Sequence, residues 1–257
     1  MGIRSIDIGI IGGSGFYEII GIEDVRQINV NTPFGEVEVT LGKLNGKDVA
    51  FIPRHGKGHK IPPHRINYRA NAFAMFQLGA KYVLATNATG SLRKEIPPGA
   101  LVIPHQIIDF TKNRVYTFFD GNFEIEFPDG KKKSGVIHTD MTEPYCAFLR
   151  EKILEAGEKL GIDLIDKGVY VCTEGPRFET PAEINFFRMI GGDLVGMTGS
   201  PEVFLFRELD ICYATICVVT NYAAGMQERV SHEEVLELFE KMKSVVAKLI
   251  IETIKLI

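Results

Sequence analysis

The chain has 257 residues, 45% hydrophobic and 24% charged, which is enough to bury one sizeable core and predicts a single domain over residues 1–257. Its formal net charge of -4 supplies no basic field for a nucleic-acid backbone, which argues against a polymer partner. There is no apolar run of the roughly 20 residues that span a bilayer, and residues 1–6 lead into a strand pattern instead of a signal-peptide pattern, so a cytoplasmic protein with no membrane partner is expected.

Apolar runs bounded by Gly, Pro or Asn predict strands over residues 7–11, 49–53, 82–85, 101–108, 168–172, 194–197 and 211–219. Between them, helical periodicity is expected over residues 65–78, 145–160, 181–190, 201–208 and 231–256, and the alternation of the two signals is that of an α/β fold. The last helix carries the clearest pattern: Ser231 and Glu234 suggest a capping box, and Val235, Leu238, Phe239, Met242, Val245, Val246 and Leu249 trace one apolar stripe. Residues 111–134 read as an excursion, and its run Lys131-Lys132-Lys133 as a solvated turn. In open α/β sheets ligands collect beyond the carboxyl ends of strands, so the small polar residues found there are the candidates.

The first such end is Gly12-Gly13-Ser14-Gly15. Its glycines permit close backbone approach and Ser14 offers a hydroxyl to an anion, although a plain tight turn would look the same. No GK[ST] follows, and Glu18 stands where a dinucleotide fingerprint needs its third glycine. The second end, Pro53-Arg54-His55-Gly56, sets a guanidinium beside an imidazole; Arg54 suits phosphate oxygens and His55 can donate a further hydrogen bond, the alternative for Arg54 being a structural salt bridge. His55 and His59 are four apart, but Gly56 and Gly58 make a helical zinc pair improbable.

Thr86-Asn87-Ala88-Thr89-Gly90-Ser91 reads as a polar turn after a strand, fit for a sugar or phosphate or for nothing at all. In Thr173-Glu174-Gly175-Pro176-Arg177-Phe178-Glu179-Thr180, Phe178 can face a flat base with the Glu179 carboxylate beside it; spacing alone favours a core Phe178 and an exposed Glu179 at a helix start. Met197-Thr198-Gly199-Ser200-Pro201-Glu202 joins a strand to a helix, so Thr198 can meet an anion there while Ser200 caps the helix. Thr220-Asn221-Tyr222-Ala223 sets an amide at the end of an apolar strand, where Asn is usually a turn former. The four cysteines, Cys146, Cys172, Cys212 and Cys217, contain no CxxC pair and read as buried thiols; a disulfide would be unusual in a reducing compartment, hyperthermophiles excepted.

Taken in order, IGGSG, RHG, TNATGS, EGPRFET, GMTGSPE and TNY resemble the purine nucleoside phosphorylase and methylthioadenosine phosphorylase family from Gly12 to Ser231. The resemblance implies a single-domain nucleoside phosphorylase fold of the α/β class, with a central mixed, partly barrel-like sheet flanked by helices. It implies that Ser14, Arg54, His55, Ala88 and Thr198 bind phosphate with Asn87 beside them, that Met197 lies under the ribose, and that Phe178 stacks on the purine. Asn221 would hold the base edge, with Tyr222 and Ala223 adjoining, and His55 and Asn221 would be the catalytic residues. The family's reaction needs no metal and no organic cofactor: phosphate, a co-substrate, attacks the anomeric carbon through an oxocarbenium-like state. A homo-oligomer, a trimer or a dimer of trimers with a neighbour completing each site, is also implied.

Within that family the RHG and EGPRF segments resemble the methylthioadenosine branch, but Asn221, Ala223 and Glu179 stand where that branch has Asp, Asp and Ser. A carboxylate suits the 6-amino group of adenine, whereas an Asn amide can donate to a 6-oxo acceptor, and Glu179 can accept from the protonated ring nitrogen. The expected activity is phosphorolysis of inosine and guanosine. His232 is similar in place to the residue facing the 5′ substituent, where it suits a hydroxyl, or else it is a surface histidine. The rival readings are a methylthioadenosine or methylthioinosine phosphorylase and a non-catalytic nucleoside-binding protein.

Overall fold

Short apolar runs that are buried on both faces, such as Ile8–Gly12, can only sit inside a covered sheet, and the chain builds one. The structure, a computed structural model, describes residues 5–16 and 21–257. The start of the strand-leading segment at residues 1–4, and Glu18, lie outside the described residues. The strands are β1 (Ile8–Gly12), β2 (Glu23–Thr32), β3 (Gly35–Leu44), β4 (Lys47–Pro53), β5 (Tyr82–Ser91), β6 (Leu101–Ile103), β7 (Gln106–Phe110), β8 (Asp120–Glu126), β9 (Lys132–Val136), β10 (Leu164–Asp166), β11 (Val169–Thr173), β12 (Leu194–Gly196) and β13 (Cys212–Tyr222). The helices are α1 (Tyr68–Gln77), α2 (Ala147–Leu160), α3 (Pro181–Met189), α4 (Glu202–Glu208) and α5 (His232–Leu256).

The main sheet runs β10-β6-β13-β5-β1-β4-β3-β2, with β5 parallel to both β1 and β13. Its mixed character comes from the antiparallel pairs β13 with β6, β3 with β4 and β2 with β3. At its far end β5 also pairs with β12, which continues through β11 to β7. Only Pro104 and His105 separate β6 from β7, so this path turns back on itself and the sheet is partly barrel-like. Helices cover both faces. Ile11, Ala50 and Ile52 pack with Ala72 and Met75 of α1 and Phe206 of α4, whereas Ile8, Ile10 and Phe51 pack with Ile153 of α2 and Phe239, Val246 and Ile250 of α5. Each fully buried side chain of this size contributes about 1.5–3 kcal/mol.

Several expectations change on folding. The proposed turn Thr86–Ser91 is the second half of β5, because β13 lies alongside it as far as Tyr222 and satisfies its backbone. The run 101–108 is two strands, broken where Pro104 withholds an N–H. The hairpin of β2 and β3 carries no counterpart among the predicted elements, although Val37, Val39 and Leu41 alternate inward along β3. In α5 only half of the capping box forms: Ser231 Oγ accepts from Glu234 N at 3.2 Å, but the Glu234 carboxylate accepts from Gln227 Nε2 at 2.8 Å. A complete box closes instead at α3, between Thr180 and Glu183. Ser200 does not cap α4, whose N-cap residue is Pro201 with no side-chain cap bond.

Buried thiols describe two of the cysteines, Cys172 and Cys217. Cys146 and Cys212 correct that expectation: they form a disulfide tying the start of α2 to the start of β13, across 66 residues of sequence. Among the described residues no helix is long and apolar enough to cross a membrane.

Candidate active site

The ends of β1, β4, β5, β11, β12 and β13 surround one cavity of about 370 Å³, within the range of small-molecule sites. Its wall holds ten of the expected residues: Ser14, His55, Ala88, Phe178, Glu179, Met197, Thr198, Asn221, Ala223 and His232. Arg54, Asn87 and Tyr222 are not on the wall.

At the glycine-turn end of the cavity, Gly13 must lack a side chain, since a Cβ there would lie 2.4 Å from the Thr86 carbonyl oxygen and 2.9 Å from Arg54 Nη1. The Gly13 N–H donates to Thr86 Oγ1 at 2.9 Å, which pins the turn to β5. Arg54 sits directly behind it, fully buried, with Nη1 donating to Thr86 O at 2.8 Å and the rest of its fork taken by Glu202. Asn87 also acts from behind: its Oδ1 accepts from Thr215, and its Nδ2 donates to Thr198 Oγ1 at 2.7 Å. Because that hydroxyl accepts from Asn87, its own proton is available to a ligand oxygen.

His55 Nδ1 faces the Ile61 carbonyl at 2.9 Å, which makes Nδ1 the protonated nitrogen and leaves Nε2 as an acceptor. Burial, reinforced by the charges of His59, Arg54 and His232, pulls its pKa down to about 3 against the pull of the Ile61 bond. With no anion beside it the ring is therefore neutral at physiological pH, its proton on Nδ1 and its Nε2 unprotonated. His55 stacks on His59 with ring centroids 4.2 Å apart, and His59 meets His232 at 5.1 Å. In the sequence His59 stands out only by its zinc-like spacing from His55; its place in the same PRHGKGH string is the signal that ties it to this site. Among the described residues no group of three or more His, Cys, Asp or Glu side chains is arranged to hold a metal ion.

At the opposite end, spacing alone misjudged the Glu179 region. Phe178 is 36% exposed and borders the cavity, while Glu179 turns inward to 9% exposure, where the Thr173 hydroxyl donates to its Oε1 at 2.6 Å. Burial raises the Glu179 pKa, with the Thr173 bond opposing. The reason is positional: Thr180 and Glu183 already satisfy the α3 start, so the residue before the cap is free to fold back.

Asn221 owes its position to an irregularity. The register of β13 on β5 shifts between Val219 and Asn221, and this bulge presents both Thr220 and Asn221 to the cavity. The Asn221 Oδ1 accepts from Thr220 Oγ1 at 2.9 Å and Nδ2 donates to Tyr222 O at 2.8 Å, so one N–H of the amide stays available. A Cβ on Gly90 would come within 3.2 Å of that nitrogen. Tyr222 points elsewhere, its hydroxyl donating to Lys94 O at 3.0 Å.

The profile of the phosphorylase superfamily matches residues 7–255. The chain is 51% identical to the 6-oxopurine nucleoside phosphorylase of Pyrococcus furiosus, over 97% of this chain and 92% of that protein. It is 49% identical to a probable S-methyl-5′-thioinosine phosphorylase of Methanopyrus kandleri, over 95% and 90% respectively. The crystal structure of a methylthioadenosine phosphorylase from an antarctic soil metagenomic library superposes with a TM-score of 0.88 at 37% identity, covering 98% of this chain and 86% of that one. The sheet-edge segments and these matches extend over the same stretch of sequence, and the chain belongs to the phosphorylase superfamily, among its nucleoside phosphorylases.

Proposed function

We propose that this chain is a purine nucleoside phosphorylase, a pentosyltransferase that cleaves 6-oxopurine nucleosides such as inosine and guanosine with inorganic phosphate, giving free base and ribose 1-phosphate. The observation that carries the reading is the inward-turned Glu179 carboxylate on the same cavity wall as Asn221. In this reading Glu179 accepts from N1–H of the base and, in guanine, from the 2-amino group, while the remaining Asn221 N–H donates to the base edge. Phe178 covers the ring and Met197 lies under the ribose. Bases lacking those donors would strand a buried carboxylate, at about 1–3 kcal/mol per unmade bond.

Phosphate is held between the Ser14 and Thr198 hydroxyls, the Ala88 segment and His55, with Asn87 fixing Thr198 and Arg54 bracing the glycine turn. Neutral His55 accepts from a protonated phosphate oxygen through Nε2. An unprotonated oxygen of hydrogen phosphate forms the bond to C1′ as the bond from C1′ to N9 breaks; that electron pair enters the purine, and the departing base takes up the proton that the phosphate gives up, so neutral base and ribose 1-phosphate leave. Asn221 stabilises the charge that develops there. The protein's own residues supply the whole of this chemistry, with phosphate as co-substrate and no cofactor. A cytoplasmic homo-oligomer, trimeric or hexameric, completes the reading.

A second reading, a methylthioinosine phosphorylase, keeps the same base contacts; Val230 and Val235 beside His232 on the cavity wall favour it, as an apolar lining for a methylthio group. Steady-state assays on inosine, guanosine, adenosine, methylthioinosine and methylthioadenosine test both. Inosine or guanosine should dominate. Dominance of methylthioinosine selects the second reading, dominance of an adenine nucleoside rejects both, and no base release in phosphate or arsenate identifies a binding protein.

A further inference from the structure

The excursion at residues 111–134 buries Phe118, Phe119, Ile125 and Phe127 in the core and, alone among its charged residues, Arg114. Arg114 is 8% exposed, and its guanidinium enters the space between the two loops that carry the base-side and phosphate-side residues. Nη2 donates to Glu174 O at 2.6 Å and, at 3.3 Å, to Thr173 O, both on the segment leading to Phe178 and Glu179. Nη1 donates to Met197 O at 2.8 Å and Ser200 O at 2.6 Å, the carbonyls that bracket Thr198, and lies 3.1 Å from the Tyr68 hydroxyl. Nε is 3.4 Å from Glu174 Oε2.

Four carbonyl oxygens converging in a water-poor space repel one another unless a cation gathers them. A guanidinium does so with a rigid planar fan of donors, whereas an ammonium is a point charge that cannot reach both loops in fixed geometry. We propose that Arg114 is a positioning residue for phosphorolysis, locking the base-binding and phosphate-binding loops at a fixed separation. Glu179 and Thr198 lie on different strand ends, and the reaction needs the nucleoside and the anion aligned to a fraction of an ångström. Arg114 touches neither ligand; it sets the distance between the groups that do. This rests on the phosphorylase reading.

The test is Arg114→Lys assayed with inosine and phosphate varied separately, beside wild type, Glu179→Gln and a thermal melt. Wild type must release hypoxanthine from inosine or, on the second reading, from methylthioinosine, which then replaces inosine throughout; failure on both sinks the phosphorylase reading, not this one. In Arg114→Lys, KM for inosine and KM for phosphate should each rise at least fivefold and kcat should fall at least tenfold, whereas Glu179→Gln should move the inosine KM alone. A folded Arg114→Lys with both KM values within twofold of wild type, even if its melting temperature drops, overturns the proposal. Should that variant not fold, Glu174→Gln weakens the same anchor from the base side: a threefold rise in phosphate KM upholds the proposal, and an unchanged phosphate KM overturns it.

Discussion

Arg54 and Glu202 meet in a two-pronged ion pair, Nε to Oε2 at 2.7 Å and Nη2 to Oε1 at 2.6 Å, with neither side chain more than 2% exposed. Tyr213 donates to the same carboxylate at 2.7 Å. The pair couples the end of β4, and through Thr86 the glycine turn, to the first residue of α4, four positions after Thr198. Its partners are matched, so its worth appears when one is removed.

Glu202→Gln should therefore cost about 3–5 kcal/mol, because it leaves a buried guanidinium without its counter-charge. Denaturant unfolding measures the loss. The double variant Arg54→Met, Glu202→Leu should recover most of that stability while raising the phosphate KM, since the brace behind Gly13 goes. Equal stability of the single and double variants would show that the charge pairing is not what the site depends on.

At the base end, Glu179→Gln should lower kcat/KM for inosine by roughly 10- to 100-fold, the size of a lost charge-assisted hydrogen bond. Its phosphate KM should be unchanged. Asn221→Asp should move preference toward 6-aminopurine nucleosides, read as the adenosine-to-inosine ratio of kcat/KM. A ratio equal to that of wild type would mean that Asn221 does not read the base.

The neutral His55 gives the acid limb of stability a defined sign. Its folded pKa of about 3 lies below its usual 6.5, so below pH 6.5 the unfolded chain takes up a proton that the folded chain refuses. Stability should fall as pH drops from 6.5 toward 3, by an amount on the order of 4 kcal/mol for a group this buried. Glu179 acts in the opposite sense: its raised pKa penalises the folded state as pH rises through it, and relieves it in acid. His55→Gln should flatten the pH 3–6.5 limb in denaturant titrations. An unaltered limb would assign the acid sensitivity to other groups.

The Cys146–Cys212 disulfide closes a long loop, for which chain-entropy arguments give about 4 kcal/mol. Cys146→Ser, or reductant, should lower the melting temperature by several degrees. Activity at moderate temperature should persist, because Cys212 and Asn221 sit at opposite ends of β13, roughly 30 Å apart. Loss of activity without loss of melting temperature would contradict both halves of this expectation.

Local chemistry was enough to announce α5, through its 3.6-residue stripe, and to mark the strand ends where small polar residues gather, because periodicity and glycine tolerance are properties of neighbouring residues. Ten of the thirteen residues named from the sequence accordingly line the one cavity. Decisions that depend on a partner far along the chain lay beyond that reach. Arg54 finds Glu202 across 148 positions, Cys146 finds Cys212 across 66, and Thr86–Ser91 becomes strand only because β13 arrives beside it. Arg114 looked like a loop residue until two distant loops supplied the carbonyls around it. Which groups exist at the site is written in the order of the amino acids; which of them face the ligand and which face one another is settled by long-range closure of the sheet, where each buried charge or donor takes whatever counterpart the fold delivers.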